Sequence, residues 1–146
     1  MRLRPVAELR AVEWLVLLQL IPLAGATKLA LRRAPLKRLV DVLERLGRPS
    51  APGFPLFAGA VQEHHLYRLA DWATRVPGGN TPCLLRSLLL HLLLRRRGEF
   101  SAIAIGVMKD GAELRAHAWV TSSRGVLGES AATLAKFKPI AQLGTS

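Results

Sequence analysis

The stretch TPCLLRSLLLHLLLRRRG, residues 81–98, decides the fold of this 146-residue chain. Thr81 is a favourable N-cap, and Pro82 suits the first helical position, where a backbone N–H has no helical partner. Three arginines occupy the last turn, where positive charge suits the helix dipole, and Gly98 follows as a stop signal. Because the middle of the stretch is apolar on nearly every side, it predicts a buried central helix over residues 82–97.

The residues after this helix have the pattern of a small antiparallel sheet. Ser101–Met108 and Leu114–Ser122 are predicted strands, and a third begins at Val126. Lys109–Gly111 predicts the first turn, and Ser123–Gly125 predicts a three-residue hairpin loop with glycine in the left-handed position. Helices followed by strands indicate the α+β class.

The residues before the central helix are mainly helical. Pro5 predicts the start of a first helix, which runs to about Leu20 before Pro22 ends or kinks it. A second helix is predicted over Thr27–Leu46, and an amphipathic one over Ala60–Val76.

A single domain is predicted to cover residues 1–146. Half of the residues are hydrophobic, which is enough to bury a core. The loop at residues 49–55 is the one candidate linker, but neither side of it is large enough to fold stably alone. Residues 1–48 are therefore a helical lead-in to a core over residues 60–146.

The charge balance is strongly basic, with 21 Lys and Arg against 10 Asp and Glu, a net charge of +11. Such a chain suits nucleic acid, an anionic membrane or an acidic polypeptide. The densest basic clusters, at residues 32–38 and 95–97, lack the interleaved aromatic side chains that stack on bases. Since no zinc-finger, RNA-recognition or leucine-zipper pattern occurs either, nucleic-acid binding is not predicted.

The uncharged run Trp14–Thr27 is too short for a spanning helix, which needs about 17–25 residues. Its end at Ala24–Ala26 looks like a signal-peptide cleavage site, but Glu8 and Glu13 just upstream favour a buried core helix. Membrane contact is therefore possible but not favoured. Cys83 is the single cysteine, so no intramolecular disulfide can form, and we expect a cytoplasmic protein.

Cys83 has two interpretations, an inert buried side chain or a nucleophile. It occupies the first turn of the predicted central helix, beside unpaired backbone N–H groups and the positive end of the helix dipole. That position favours the thiolate, the nucleophilic form, and the same N–H groups can bind an oxyanion. The sequence context therefore favours the nucleophile.

A cysteine used for acyl transfer needs a base, and His117 in the AHAWV strand is the candidate. His64 and His65 are predicted to lie partly exposed on a helix surface. His91 is eight residues along the helix from Cys83, or about 12 Å, which is too far for proton transfer. No metal site and no cofactor is predicted, because the histidines are scattered without ligand spacing.

Glu129 is the predicted orienting group for His117. A three-residue loop pairs Ser122 with Val126 and places Glu129 opposite Trp119, diagonal to His117 on the same face of the sheet. A two-residue loop would shift the register by one residue and turn Glu129 to the other face, as an exposed carboxylate.

The Cys83 helix, the following IGV strand and AHAWV together resemble the leader peptidases of lasso peptide biosynthesis, in the transglutaminase-like superfamily. The resemblance covers about Leu66–Ser130. It implies a papain/transglutaminase-like cysteine protease core over residues 60–146, with a Cys-His-Asp triad. Carried over, Cys83 is the nucleophile and His117 the base. Glu129 then takes the place of the usual aspartate, a role that glutamate fills in other triads.

The resemblance also implies a reaction and its partners. Such peptidases remove the leader of a ribosomally made precursor peptide through a thioester, a separate recognition protein delivers the leader, and a macrocyclase then closes the ring. The chain leaves no room for a recognition domain, so we expect a separate protein to supply it. Two alternatives stay open. An acyltransferase would pass the thioester to an amine, and a non-catalytic adaptor would bind a peptide or a membrane through its basic helices.

Overall fold

The computed structural model describes residues 10–49, 54–76 and 82–144. Helices precede a small sheet, which confirms the predicted α+β class. A 3-10 turn at Ala58–Ala60 precedes the third helix. The helices and strands in chain order are α1 (Ala11–Arg33), α2 (Leu36–Leu46), α3 (Glu63–Arg75), α4 (Pro82–Arg96), β1 (Ser101–Asp110), β2 (Glu113–Ser122), β3 (Gly125–Leu127), α5 (Ala131–Leu134) and β4 (Lys138–Leu143).

The N-terminal helices are divided at a different proline from the predicted one. α1 continues through Pro22, so the predicted end of the first helix before this residue is wrong. A proline here leaves only the carbonyl of Leu18 without its helical donor, and Leu18 is exposed, so water can satisfy that carbonyl. α1 ends instead before Pro35, because the residue preceding a proline is driven out of the helical region, and Ala34 is extended. The predicted start at Pro5 lies outside the described residues.

α4 is the central helix of the core, as its leucine-rich sequence predicts. It contacts α1, α2 and α3 on one side and β1 and β2 on the other. The helix ends at Arg96, and Gly98 just beyond it has a φ of +73°; the N–H of Glu99 donates to the carbonyl of Leu94 at 2.9 Å. Replacing any one of its buried leucines with alanine lowers the free energy of unfolding by about 2–5 kcal/mol, so α4 is a rigid support. Seven of them are at most 2% exposed: Leu85, Leu88, Leu89, Leu90, Leu92, Leu93 and Leu94.

The strands form one antiparallel sheet in the order β3-β2-β1-β4. β1 and β2 pair along their whole length, with Asp110 opposite Glu113, so the turn is at residues 111–112 rather than at the predicted 109–111. The helix α5 and the strand β4 were not predicted from the sequence. The residues of β4 are nearly all exposed, because no layer of the core covers them. Their sequence, KPIAQL, does not alternate regularly between apolar and polar residues, so it gives no signal of a strand.

His91, in the middle of α4, is fully buried between two polar partners. Its Nδ1 lies 2.5 Å from Ser101 Oγ, and its Nε2 lies 3.2 Å from Glu44 Oε1. Burial lowers the pKa of His91 from its usual value of 6.5, and Arg95 adds to the lowering, whereas Glu44 acts in the opposite direction. The folded protein therefore resists protonation of this ring.

We expect the free energy of unfolding to fall as the pH drops below about 6.5, because the unfolded chain binds a proton at His91 that the folded chain resists. The slope from one such group is at most about 1.4 kcal/mol per pH unit. The measurement is urea unfolding between pH 7.5 and 5. His91→Gln is the matched variant: it lowers stability at neutral pH but should show a shallower pH slope. Equal slopes in the two proteins would contradict this account.

Candidate active site

Cys83 is the second residue of α4, and its thiol is free and partly exposed. Its carbonyl accepts a hydrogen bond from Ser87 Oγ at 2.8 Å, within the helix. The backbone N–H groups of a first helical turn have no partner inside the helix, and groups of this kind can stabilise a developing oxyanion. The predicted N-cap, Thr81, lies outside the described residues.

His117 lies in the middle of β2, where aromatic side chains hold its ring. The ring stacks on Trp119 with centroids 6.0 Å apart and contacts Phe137 at 5.2 Å. Gly106 is opposite His117 on β1, and a Cβ there would collide with the Trp119 ring and with Phe137. The glycine thus makes room for the aromatic cluster that orients the imidazole. Phe137 follows α5 along the chain and was not predicted to be near the site.

The Nε2 atom of His117 lies 2.9 Å from Oε1 of Glu129, within hydrogen-bond distance. Both side chains are mostly buried, which shields the pair from water. Because Glu129 occupies Nε2, the Nδ1 atom is the ring nitrogen that can exchange a proton with a thiol. The structure therefore brings together the histidine and the carboxylate named from the sequence, and their catalytic roles remain a prediction.

Glu129 reaches His117 by a route that differs from the predicted one. Ser122 pairs with Gly125, so the hairpin loop has two residues and the predicted three-residue loop is wrong. That register would turn Glu129 to the opposite face if the strand continued. β3 ends at Leu127, however, and Gly128 has a φ of +73°, so the chain leaves the sheet and the alternation of faces no longer applies.

Arg86 is a residue of the site that sequence reasoning missed. It lies three residues after Cys83, on the same side of α4. Its Nη2 is 3.5 Å from Glu129 Oε1 and its Nη1 is 3.1 Å from Asp71 Oδ1 of α3. Its guanidinium also lies over the ring of Tyr67, 4.9 Å from the centroid. One signal in the sequence could have found it, because Arg86 is the one charged side chain in the leucine-rich middle of α4. A charged residue on a buried helix needs a partner.

These contacts connect the helix of the cysteine to the histidine on the sheet. Arg86 links α4 to Glu129, and Glu129 links to His117. Asp71 holds the other side of the guanidinium, and Arg75 holds the second oxygen of Asp71 at 2.9 Å. The carboxylate of Glu129 is thus fixed between a guanidinium and an imidazole, and its contact with the imidazole is the one that a triad requires of its acidic member.

The other histidine sites belong to the core. His65 is buried and contacts the buried carboxylate of Glu13, so its predicted surface position is wrong. The sequence does contain an acidic partner for His65, which is Glu13 in α1. Local periodicity cannot show, however, that two helices distant in the sequence contact each other. His91 is fully buried, and the side chain of His64 lies outside the described residues. Within residues 10–49, 54–76 and 82–144, no group of three or more His, Cys, Asp or Glu side chains is placed to hold a metal ion.

Residues 9–142 match the family description of the transglutaminase-like superfamily. The chain belongs to the transglutaminase-like superfamily. Membership of this superfamily suggests cysteine peptidase or acyltransferase chemistry, and the family match includes both Cys83 on α4 and His117 on β2. Neither a curated protein nor a solved structure matches the chain.

Proposed function

We propose that this transglutaminase-like chain is a cysteine peptidase that removes the leader of a ribosomally synthesised precursor peptide during lasso peptide maturation. The observation that carries the enzymatic part is the hydrogen-bonded pair of His117 and Glu129, tied through Arg86 to the helix of the chain's only cysteine. The substrate assignment rests on the resemblance of the Cys83 helix and the AHAWV strand to lasso leader peptidases.

The proposed reaction begins with transfer of the Cys83 proton to Nδ1 of His117. The sulfur attacks the carbonyl carbon of the scissile peptide bond, and the negative oxygen that forms is stabilised by N–H groups in the first turn of α4. The C–N bond then breaks, the leaving amine takes the proton from His117, and the leader stays on Cys83 as a thioester. Glu129 stabilises the imidazolium through Nε2 during both proton transfers.

Hydrolysis of the thioester completes the cycle. A water molecule gives a proton to His117 and attacks the thioester carbonyl, and collapse of the intermediate releases the leader carboxylate. The thiol of Cys83 recovers its proton from His117. An acyltransferase differs only in this half-reaction, where an amine replaces water, so it stands as the second candidate within the same superfamily.

The test is incubation of the precursor peptide with the protein and with a separately produced leader-recognition protein, followed by mass spectrometry. Peptidase activity yields two fragments whose masses sum to the precursor plus one water, whereas an acyltransferase yields a leader joined to an added amine. Absence of any product, together with binding that Cys83 alkylation leaves unchanged, would show an adaptor instead.

We further propose that the recognition protein and the macrocyclase are the chain's partners in this pathway. A protein that grips the leader raises the local concentration of the scissile bond, into the millimolar range for a short tether. The value of kcat/KM for cleavage should therefore rise with the recognition protein present. Equal values with and without it would show a self-sufficient peptidase.

Arg86→Gln is expected to lower kcat for cleavage by about tenfold to a hundredfold with little change in KM. A hydrogen bond to a charged group is worth about 1.5–3 kcal/mol, and here it orients the carboxylate rather than the substrate. Arg86→Lys should recover part of the rate, because it keeps the charge but loses the two-armed contact with Asp71 and Glu129. Single-turnover kinetics measures the cleavage rates of both Arg86 variants.

Arg75→Gln is the matched control for Arg86. Arg75 binds the same carboxylate of Asp71 but forms no ion pair with Glu129 in the described part of the chain, so its loss should leave kcat within about twofold. Thermal unfolding of each variant separates loss of fold from loss of rate. If the Arg75 and Arg86 variants are equally active, Arg86 has no role in positioning Glu129.

A further inference from the structure

The outer face of α1 is an uncharged surface that the proposed peptidase function does not use. Eight of its residues are exposed between positions 11 and 29, and none is charged. With 3.6 residues per turn they fall within an arc of about 120°, and at 1.5 Å per residue they extend over about 27 Å. We call them the α1 face: Ala11, Trp14, Leu15, Leu18, Pro22, Gly25, Ala26 and Leu29.

A neighbouring loop widens the α1 face with two more exposed apolar side chains. Gln19 donates to the carbonyl of Leu56 at 3.0 Å and accepts from its N–H at 2.7 Å. Leu56 and Phe57 are 51% and 58% exposed, so this double hydrogen bond fixes apolar groups in water beside the helix. Phe57 also has a φ of +68°, a conformation that a bulky residue adopts rarely and that is common at functional sites.

The exposed charges at the two ends of α1 and at the start of α2, among the described residues 10–38, are all of one sign. Between positions 10 and 38 the single acidic residue, Glu13, is fully buried against Arg10 and His65. The exposed charges are therefore positive, and they lie at the two ends of α1 and at the start of α2. These residues are Arg10, Arg32, Arg33, Lys37 and Arg38.

We propose that the α1 face binds the surface of an anionic membrane, with the helix lying parallel to the bilayer. An apolar helical stripe that contains tryptophan and is bordered by Lys and Arg is typical of helices that lie in the interface. Among the described residues, α1 is the one helix long and apolar enough by length and composition to cross a membrane. Its inner side, however, packs Val16, Leu20 and Ala24 into the core, so α1 cannot span a bilayer without unfolding the domain.

The chemistry of the α1 face favours a lipid surface over a protein partner. Protein interfaces carry about one hydrogen bond per 100–200 Å². On the α1 face, only the indole N–H of Trp14 offers a side-chain hydrogen-bonding group. The basic residues at its ends match lipid headgroups and give an attraction that salt screens. Cys83, His117 and Glu129 lie on α4, on β2 and after β3, so none of the residues proposed for catalysis belongs to the α1 face.

The experiment is co-sedimentation of the full chain with vesicles of phosphatidylcholine alone and with added phosphatidylserine. We expect binding to the anionic vesicles, weakened at least tenfold by Leu15→Gln with Leu18→Gln. Added salt, or Arg32→Gln with Arg33→Gln, should also weaken it. The matched control is Leu114→Gln with Ile140→Gln, which removes two apolar side chains at least as exposed from the sheet and should bind like the unmodified chain. Circular dichroism checks that each variant is folded.

Three results would overturn the proposal. The first is no sedimentation with either vesicle, and the second is equal binding to neutral and anionic vesicles. The third is a concentration-dependent dimer that the Leu15 and Leu18 variant abolishes without any vesicle binding, which would make a second copy of the chain the occupant. None of these results bears on peptide cleavage, so the membrane proposal and the peptidase proposal fail separately.

Discussion

Cys83→Ala is expected to abolish leader cleavage, lowering kcat on the order of 10⁵–10⁶-fold, which is the cost of removing the nucleophile from a catalytic unit. The thioester cannot form without the sulfur, and no second cysteine exists in the chain to replace it. The side chain is partly exposed at the start of α4, so its truncation leaves no closed cavity, and the melting temperature should change little. Single-turnover cleavage in the presence of the recognition protein measures the rate.

Cys83→Ser and alkylation complete this prediction. Serine keeps the size of the side chain but is a far weaker nucleophile at neutral pH, so it should be nearly as inactive as alanine. Iodoacetamide should inactivate the unmodified chain and leave its fold intact. Cleavage by Cys83→Ala within about tenfold of the unmodified rate would end the cysteine peptidase proposal, because loss of a nucleophile costs far more than that.

His117→Ala is expected to be nearly as damaging as the loss of Cys83, because members of a triad act as a unit. Glu129→Gln should lower kcat by roughly 10²–10⁴-fold, since the amide keeps the size of the side chain but cannot stabilise an imidazolium. Glu129→Asp keeps the charge and the usual residue of the resembling family, so it should be the most active of the three variants. The measurement is kcat by single-turnover kinetics.

The control for this series is a measurement of stability, because the substitutions can also disturb packing. His117 contacts Trp119 and Phe137, so its truncation removes aromatic contacts as well as a base, and thermal unfolding must be measured beside the rate. Glu129→Gln has no such complication, because it removes no atoms from the contact. Cleavage by Glu129→Gln at the unmodified rate would show that this carboxylate does not serve His117 and that Arg86 positions nothing catalytic.

The elements that could be predicted from the sequence are those whose signals are local. The leucine-rich middle of α4, the arginines of its last turn and Gly98 all indicate one buried helix, and the structure has it. The strands on either side of the first turn follow from alternating apolar residues, with ends displaced by one or two positions. The transglutaminase-like match over residues 9–142 includes these same segments, which carry Cys83 and His117.

The contact between His117 and Glu129 shows where such prediction becomes fragile. The predicted three-residue loop is a two-residue loop in the structure, which by strand alternation would separate the two side chains. They meet because β3 stops after three residues and Gly128 turns the chain beside the ring of Tyr67. The length of an edge strand depends on what packs against it, and that partner lies on α3, far away in the sequence.

Helix caps, periodicity and short motifs act over neighbouring residues. The amino-acid sequence alone therefore indicates the class of fold, the central helix, the superfamily and the two residues proposed for thioester chemistry. Only the tertiary structure decided which proline divides the N-terminal helices, that His65 is buried against Glu13, and that Arg86 joins Asp71 to Glu129. Each of these depends on charges or exposure contributed by other elements. A charge can be buried only where a partner and further hydrogen bonds offset the cost of removing it from water, and that meeting is a property of packing rather than of either segment.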